Sequence, residues 1–228
     1  TQARLVLAAA AARPGDTVLA GVQLRMDARW HTYWRNPGAS GMATKIDWQL
    51  PAGVTAGDIQ WPVPHKLWDE DLTTYIYTNE VILLVPLKLA ADVSPGPLEL
   101  KAEVSWLECE VQCVPGGADV KATLNVGAET KRSPDAPLLE AWQRRLPQSG
   151  SGLVARAWWE TTGTASARPL LLEWRSTAAA GAADFFPDAS EEFEVQPATE
   201  TVSAEPCTIR LRKVVKKLGE SWPTHISG

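Results

Sequence analysis

"LELKAEVSWLECEVQCVPGGADVKATLNV", residues 98–126, decides how this chain folds. "LELKAEVSWLE" and "DVKATLNV" read as two strands, and on the second Val120, Ala122, Leu124 and Val126 share one face. "VPGGAD" reads as turn punctuation. Between the strands lie Cys109 and Cys113. A disulfide needs Cα atoms roughly 4.4–6.8 Å apart, whereas this segment fully extended spans ~13 Å. If the two sulfurs are joined, "CEVQC" is a tight turn or the bent tip of a hairpin.

What the pair does is a separate question. A zinc site takes about four ligands, commonly in paired CxxC or HxxxH patterns. Here His31, His65 and His225 are scattered, and no metal is expected. A disulfide is the natural reading. So short a loop gains little stability, because the entropic benefit grows with loop length. Such a bond among Glu108, Glu110 and Gln112 is a poor staple. A reactive couple and a structural bridge both remain open on spacing alone. Cys207, in "AEPCTIRLR", reads as a buried strand thiol.

Composition bounds the rest. The chain has 228 residues, with 17 Pro, 16 Gly and 11 Trp but only 3 Phe and 3 Tyr. Frequent Pro and Gly between short apolar runs favour many short strands. A net charge of −5 argues against nucleic acid. The one basic run, "RLRKVVKK" at 210–217, reads as a strand with a solvated face. No stretch reaches the ~20 apolar residues that span a bilayer. "LVLAAAAA" (5–12) lacks the basic start of a signal peptide and reads as an apolar strand, closed by a turn at "PGD" (14–16).

Alternating segments recur from "RLVLAAA" through "TVLAGVQLRMD", "HTYW", "KIDWQL" and "TYIYTNEVILLVPLKL", each followed by turn residues. This rhythm predicts an antiparallel sandwich over 1–130. "SPDAPLLEAWQRRLP" breaks it: Ser133 caps, Pro134 fits the first turn, and Leu138, Leu139, Trp142 and Leu146 share a helical face. Residues 131–150 are therefore expected to be a short helix and linker. "LVARAWWE", "PLLLEWRS", "FEVQPA" and "CTIRLRKV" then predict a second, smaller β-sandwich domain over 151–228.

Five ordered segments carry a resemblance: "WHTYWRNPGASG" (30–41), "WQLPAGV" (48–54), "IQWPVPHK" (59–66), "YIYTNEVILLVPL" (75–87) and "WLECEVQCVPGGADV" (106–120). Together they resemble the periplasmic N-terminal domain of the thiol:disulfide interchange protein DsbD family. The region after the helix fits the longer ScsB, or suppressor of copper sensitivity, branch; "FFPDA" (185–189) looks like its second domain. The resemblance implies an all-β chain: an immunoglobulin-like β-sandwich with a cysteine-bearing hairpin. It implies a periplasmic location, tethered to the inner membrane by segments outside these residues, and no cofactor.

The resemblance also implies an activity. A protein-disulfide reductase would relay electrons from a thioredoxin-like domain of the same longer protein to oxidised periplasmic thioredoxin-fold partners. Cys113 would join to partners and Cys109 would resolve. A cap loop, matching "HKLWDEDLTTY" (65–75), would shield the sulfurs with Trp68 or Leu72. Tyr75 and Tyr77 alternate on one strand face and are candidates to line the cleft. Glu108 and Glu110, if close, would raise a thiol pKa and slow it. The rival reading is an immunoglobulin-like protein-binding module with a permanent disulfide. A hydrolase finds no support, since no G-x-S-x-G, HExxH or phosphate loop occurs.

Overall fold

The apolar run Val81–Val85 has no polar member, so a strand there has to be covered on both faces. In the computed structural model, which describes residues 1–69, 72–148, 154–175, 183–205 and 208–228, all five side chains are fully buried. The chain divides into two compact units, Thr1–Pro147 and Gln148–Gly228. Cys207 lies outside the described residues.

The first unit runs β1 (Gln2–Leu7), β2 (Ala9–Ala12), β3 (Thr17–Arg25), β4 (His31–Gly38), β5 (Lys45–Gln49) and β6 (Val54–Ala56). It continues with β7 (His65–Asp69), β8 (Leu72–Thr78), β9 (Glu80–Leu89), β10 (Gly96–Cys109), β11 (Cys113–Val126), β12 (Lys131–Arg132) and α1 (Ala136–Gln143). One sheet has the order β1-β3-β9-β6. The other has the order β12-β2-β11-β10-β4-β8-β7, with β5 also on β10. Between them sits an aliphatic core that includes Val18, Val22, Leu24, Leu100, Val104 and Leu124. Each such side chain contributes roughly 1.5–3 kcal/mol by leaving water.

Two expected single strands are each split between the sheets. The run at residues 5–12 bends at Ala8, so β1 joins the first sheet and β2 pairs parallel with β11 in the second. The run at 74–89 turns at Asn79, whose φ of 62° lies in the left-handed region that Asn tolerates. At Ala8 the apolar run is unbroken, so periodicity gave no sign of that corner, whereas at Asn79 the polar Thr78, Asn79 and Glu80 interrupt the apolar run.

The helix belongs to the first unit. It lays Ala136, Leu139 and Trp142 inward at i, i+3 and i+6 and packs on β1, β3 and β9. It starts later than expected, with Asp135 at the N-cap and Pro137 in the first turn. Ser133 does not cap it: its hydroxyl donates to the Leu7 carbonyl and accepts from the Asp135 amide.

The second unit is β13 (Ala155–Trp159), β14 (Ala167–Arg175), β15 (Phe193–Val195), β16 (Glu200–Glu205) and β17 (Thr208–Lys217). Among the described residues these make one five-stranded sheet with β17 at its centre. Its inner face is covered by irregular chain carrying Phe185, Trp222 and Ile226, packed against Leu170, Val195 and Val215. Alternation along the basic run puts Leu211, Lys213 and Val215 inside and leaves Val214 exposed. The buried Lys213 ammonium donates to the Pro197 carbonyl (2.8 Å) and Thr199 hydroxyl (2.9 Å), 3.8 Å from the Asp184 carboxylate. Arg210 pairs with Glu173, and Arg212 with Glu160 and Glu200.

Candidate functional site

β10 and β11 pair along their whole length, and the last pair in register is Cys109 with Cys113. The Cα atoms are 4.1 Å apart and the sulfurs are bonded. Glu110, Val111 and Gln112 make the tip, closed by a 3.4 Å hydrogen bond from the Glu110 amide to the Gln112 carbonyl. Of the tight turn and the bent hairpin tip that chain length allows, the hairpin tip is present. β11, however, starts at Cys113 and runs through "VPGG" as strand rather than turn. Gly116 lies opposite Trp106, and a methyl group there would run into the indole, so the bare backbone makes room for a cross-strand ring.

Period-two alternation fixes where the sulfurs point. Leu100, Ala102, Val104 and Trp106 on β10 face the core, so Cys109, of opposite parity, faces away from it. On that far face Cys109 forms its own small cluster with Tyr33 and Ile76, backed by Leu107. The neighbours in register are His31 on β4 and, beyond it, Thr78 on β8.

The two cysteines have unlike surroundings. Cys109 is 4% exposed, whereas Cys113 is exposed. Val111 at the tip is 93% exposed and Val114 is exposed as well. The Tyr33 hydroxyl donates to Cys109 Sγ at 2.9 Å and lies 3.7 Å from Cys113 Sγ. Burial pushes the Tyr33 phenol above its usual range, so it keeps its proton. His31 meets Tyr33 edge-on, centroids 5.3 Å apart, and burial holds its imidazole below the ordinary value and neutral.

The nearby carboxylates are engaged. Glu110 pairs with Arg29 at 2.9 Å, and Glu108 accepts a hydrogen bond from the Thr1 hydroxyl. Burial pushes the Glu108 carboxyl up, but hydrogen bonds from Thr1 outweigh this and hold it below its usual range.

The other candidate residues sit as follows. Tyr75 and Tyr77 are buried on the face of β8 opposite the disulfide, and the residue between them, Ile76, reaches Cys109. Tyr75 meets Trp34 edge-on. Tyr77 donates to the Pro62 carbonyl at 2.6 Å, and burial raises its pKa, against a smaller opposing pull from Arg35. Trp68 and Leu72, on the β7–β8 hairpin, are 55% and 54% exposed. Tyr33 was not singled out in the sequence. A signal existed in "HTYW", where it alternates with His31, but only long-range pairing brings that strand beside β10. Among the described residues no group of three His, Cys, Asp or Glu side chains could hold a metal. Among them, too, no helix is long and apolar enough to cross a membrane.

A β-sandwich with a half-exposed disulfide at a hairpin tip has the form of a thiol–disulfide exchange domain. A family model described as thiol:disulfide interchange protein DsbD, N-terminal, matches residues 2–125, and the chain belongs to that family. The fold resembles the crystal structure of the N-terminal periplasmic domain of ScsB from Proteus mirabilis. That match has a TM-score of 0.66 at 15% identity and covers 93% of this chain and 78% of the other. It therefore spans both units, as the longer ScsB-like region predicts. A second structure, the sporulation control protein Spo0M from Bacillus subtilis, covers 78% of this chain and 69% of its own at 15% identity. Its TM-score is 0.27, too low to bear on the fold. No curated protein matches the chain.

Proposed function

We propose that this chain is a periplasmic protein-disulfide reductase domain of the ScsB branch, tethered to the inner membrane by segments outside these residues. A thioredoxin-like domain of the same longer protein reduces the Cys109–Cys113 bond. The resulting dithiol then reduces oxidised periplasmic thioredoxin-fold partners. The supporting observation is the asymmetry of the bond: Cys113 is open to an incoming sulfur while Cys109 is enclosed. Thiol–disulfide exchange needs an approach to one sulfur and a second sulfur held in reserve to resolve the mixed bond. Exposed Val111 and Val114 flank that approach as apolar contact surface.

Trp68 and Leu72 are assigned the covering role for the reduced pair, as side chains that move between cover and partner. Trp68→Ala is expected to speed alkylation of the reduced thiols several-fold while leaving the oxidised protein's stability unchanged.

The test is an equilibrium redox titration against glutathione or dithiothreitol. A midpoint near the poise of thioredoxin-fold oxidoreductases, roughly −120 to −270 mV, supports exchange. A midpoint below about −300 mV identifies a permanent structural bond and turns the chain into a binding module.

A further inference from the structure

Resting on the exchange reading, we infer that Tyr33 is a catalytic residue: its hydroxyl stabilises the Cys109 thiolate as the leaving group when the disulfide opens. Three observations converge. The hydroxyl donates to Cys109 Sγ at 2.9 Å and stands farther, 3.7 Å, from Cys113 Sγ. Cys109 is the enclosed sulfur, so a thiolate formed there has little water to solvate it and depends on a protein donor. The ring that carries the hydroxyl is fixed in place before any reaction.

That last point comes from the packing. Tyr33 is 2% exposed, lies opposite Ile76 in the β4–β8 register and touches His31 edge-on. On its far side Gly41, at φ 105°, presses bare backbone against the ring, and a side chain there would collide with it. The turn "RNPGASG" therefore braces a catalytic ring. A donor fixed in this way needs no reorganisation when charge appears on the sulfur.

The electron count follows. A thiolate of a donor dithiol attacks Cys113 Sγ, and the Cys109–Cys113 bond breaks with its electron pair on Cys109 Sγ, which accepts the Tyr33 hydrogen bond. The donor's second thiolate then attacks its own sulfur in the mixed disulfide and releases Cys113. The donor leaves as a disulfide, two electrons have passed to Cys109 and Cys113, and the two thiolates take protons from water. Tyr33 keeps its proton throughout. In the reverse sense the same hydrogen bond maintains a population of Cys109 thiolate able to resolve a mixed disulfide at Cys113.

The experiment compares the full chain with Tyr33→Phe, which removes the hydroxyl and keeps the ring. Dithiothreitol is the reductant, and the Cys109 thiol pKa is read by absorbance at 240 nm in a Cys113→Ser background. Loss of one hydrogen bond to an ionised sulfur is expected to raise that pKa by about one unit and slow reduction about tenfold. Gly41→Ala, which displaces the ring without deleting the hydroxyl, is expected to change both in the same direction. Circular dichroism confirms that each variant is folded. Unchanged pKa and rate in folded Tyr33→Phe would overturn the assignment. Because dithiothreitol needs no docking, that result is distinct from failure of the exchange reading, which appears as wild-type protein refractory to thioredoxin-fold donors.

Discussion

Each unit buries polar groups, but to opposite ends. In the second, the Lys213 ammonium lies among the Pro197 carbonyl, the Thr199 hydroxyl and Asp184, and Arg210 and Arg212 are held by glutamates. Those groups satisfy one another and none faces a breakable bond. In the first unit the buried Tyr33 hydroxyl is aimed at a disulfide sulfur. Satisfied polar networks fix a structure. A fixed donor beside a bond that can open serves chemistry instead.

The largest expected effect tests that contrast directly. Cys113→Ala abolishes thiol–disulfide exchange in an insulin-reduction or partner-reduction assay, whereas Lys213→Ala leaves the exchange rate of the folded first unit untouched. The same Lys213→Ala destabilises the second unit by about 3 kcal/mol, because it leaves Asp184 and Thr199 without their central donor and opens a hole. Urea unfolding followed by Trp fluorescence measures this. Lys213→Met, which fills the space without charge, is expected to lose less. Equal losses in the two would remove the charge network from the account.

Smaller is Gly21→Ala under the helix. The added methyl meets Leu139 and Ile82, so α1 has to shift, at a cost of roughly 1–3 kcal/mol. The activity of the protein that remains folded is expected to be normal, since that face lies across the sandwich from the sulfurs. Smallest is a pH effect. His31 is neutral and buried against Tyr33, beside Cys109, with its folded pKa below the ordinary value near 6.5. As pH falls the unfolded chain takes the proton first. The His31 contribution is thus complete above about pH 6.5 and is lost as pH drops through the folded value. His31→Phe should flatten that part of a stability profile measured by urea unfolding between pH 7 and pH 5.

Much of this was legible in the sequence. With the sulfurs joined, the distance argument on "CEVQC" required a tight turn or a hairpin tip, alternation gave most strands, and the apolar face of residues 133–147 gave the helix. Three features were not legible. The corner at Ala8 interrupts no apolar pattern. "VPGG" reads as turn because its role as strand depends on Trp106 across the ladder. The aromatic at the sulfurs could not be chosen because Tyr33, Tyr75 and Tyr77 all sit in alternating strands. Only the pairing of β4 with both β10 and β8 puts Tyr33 on the disulfide face and the other two opposite. Lys213 was readable in principle, since it has the parity of Leu211 and Val215, yet charge in a basic run argues for solvent until its partners are known.

The most direct measurement is single-cysteine trapping. Cys109→Ala and Cys113→Ala variants are each incubated with an oxidised thioredoxin-fold protein lacking its resolving cysteine, and adducts are mapped by peptide mass spectrometry. A mixed disulfide through Cys113 in the Cys109→Ala variant, with little or none through Cys109 in the other, is the predicted result. Adducts forming equally through Cys109, or through neither cysteine in folded protein, would contradict the account.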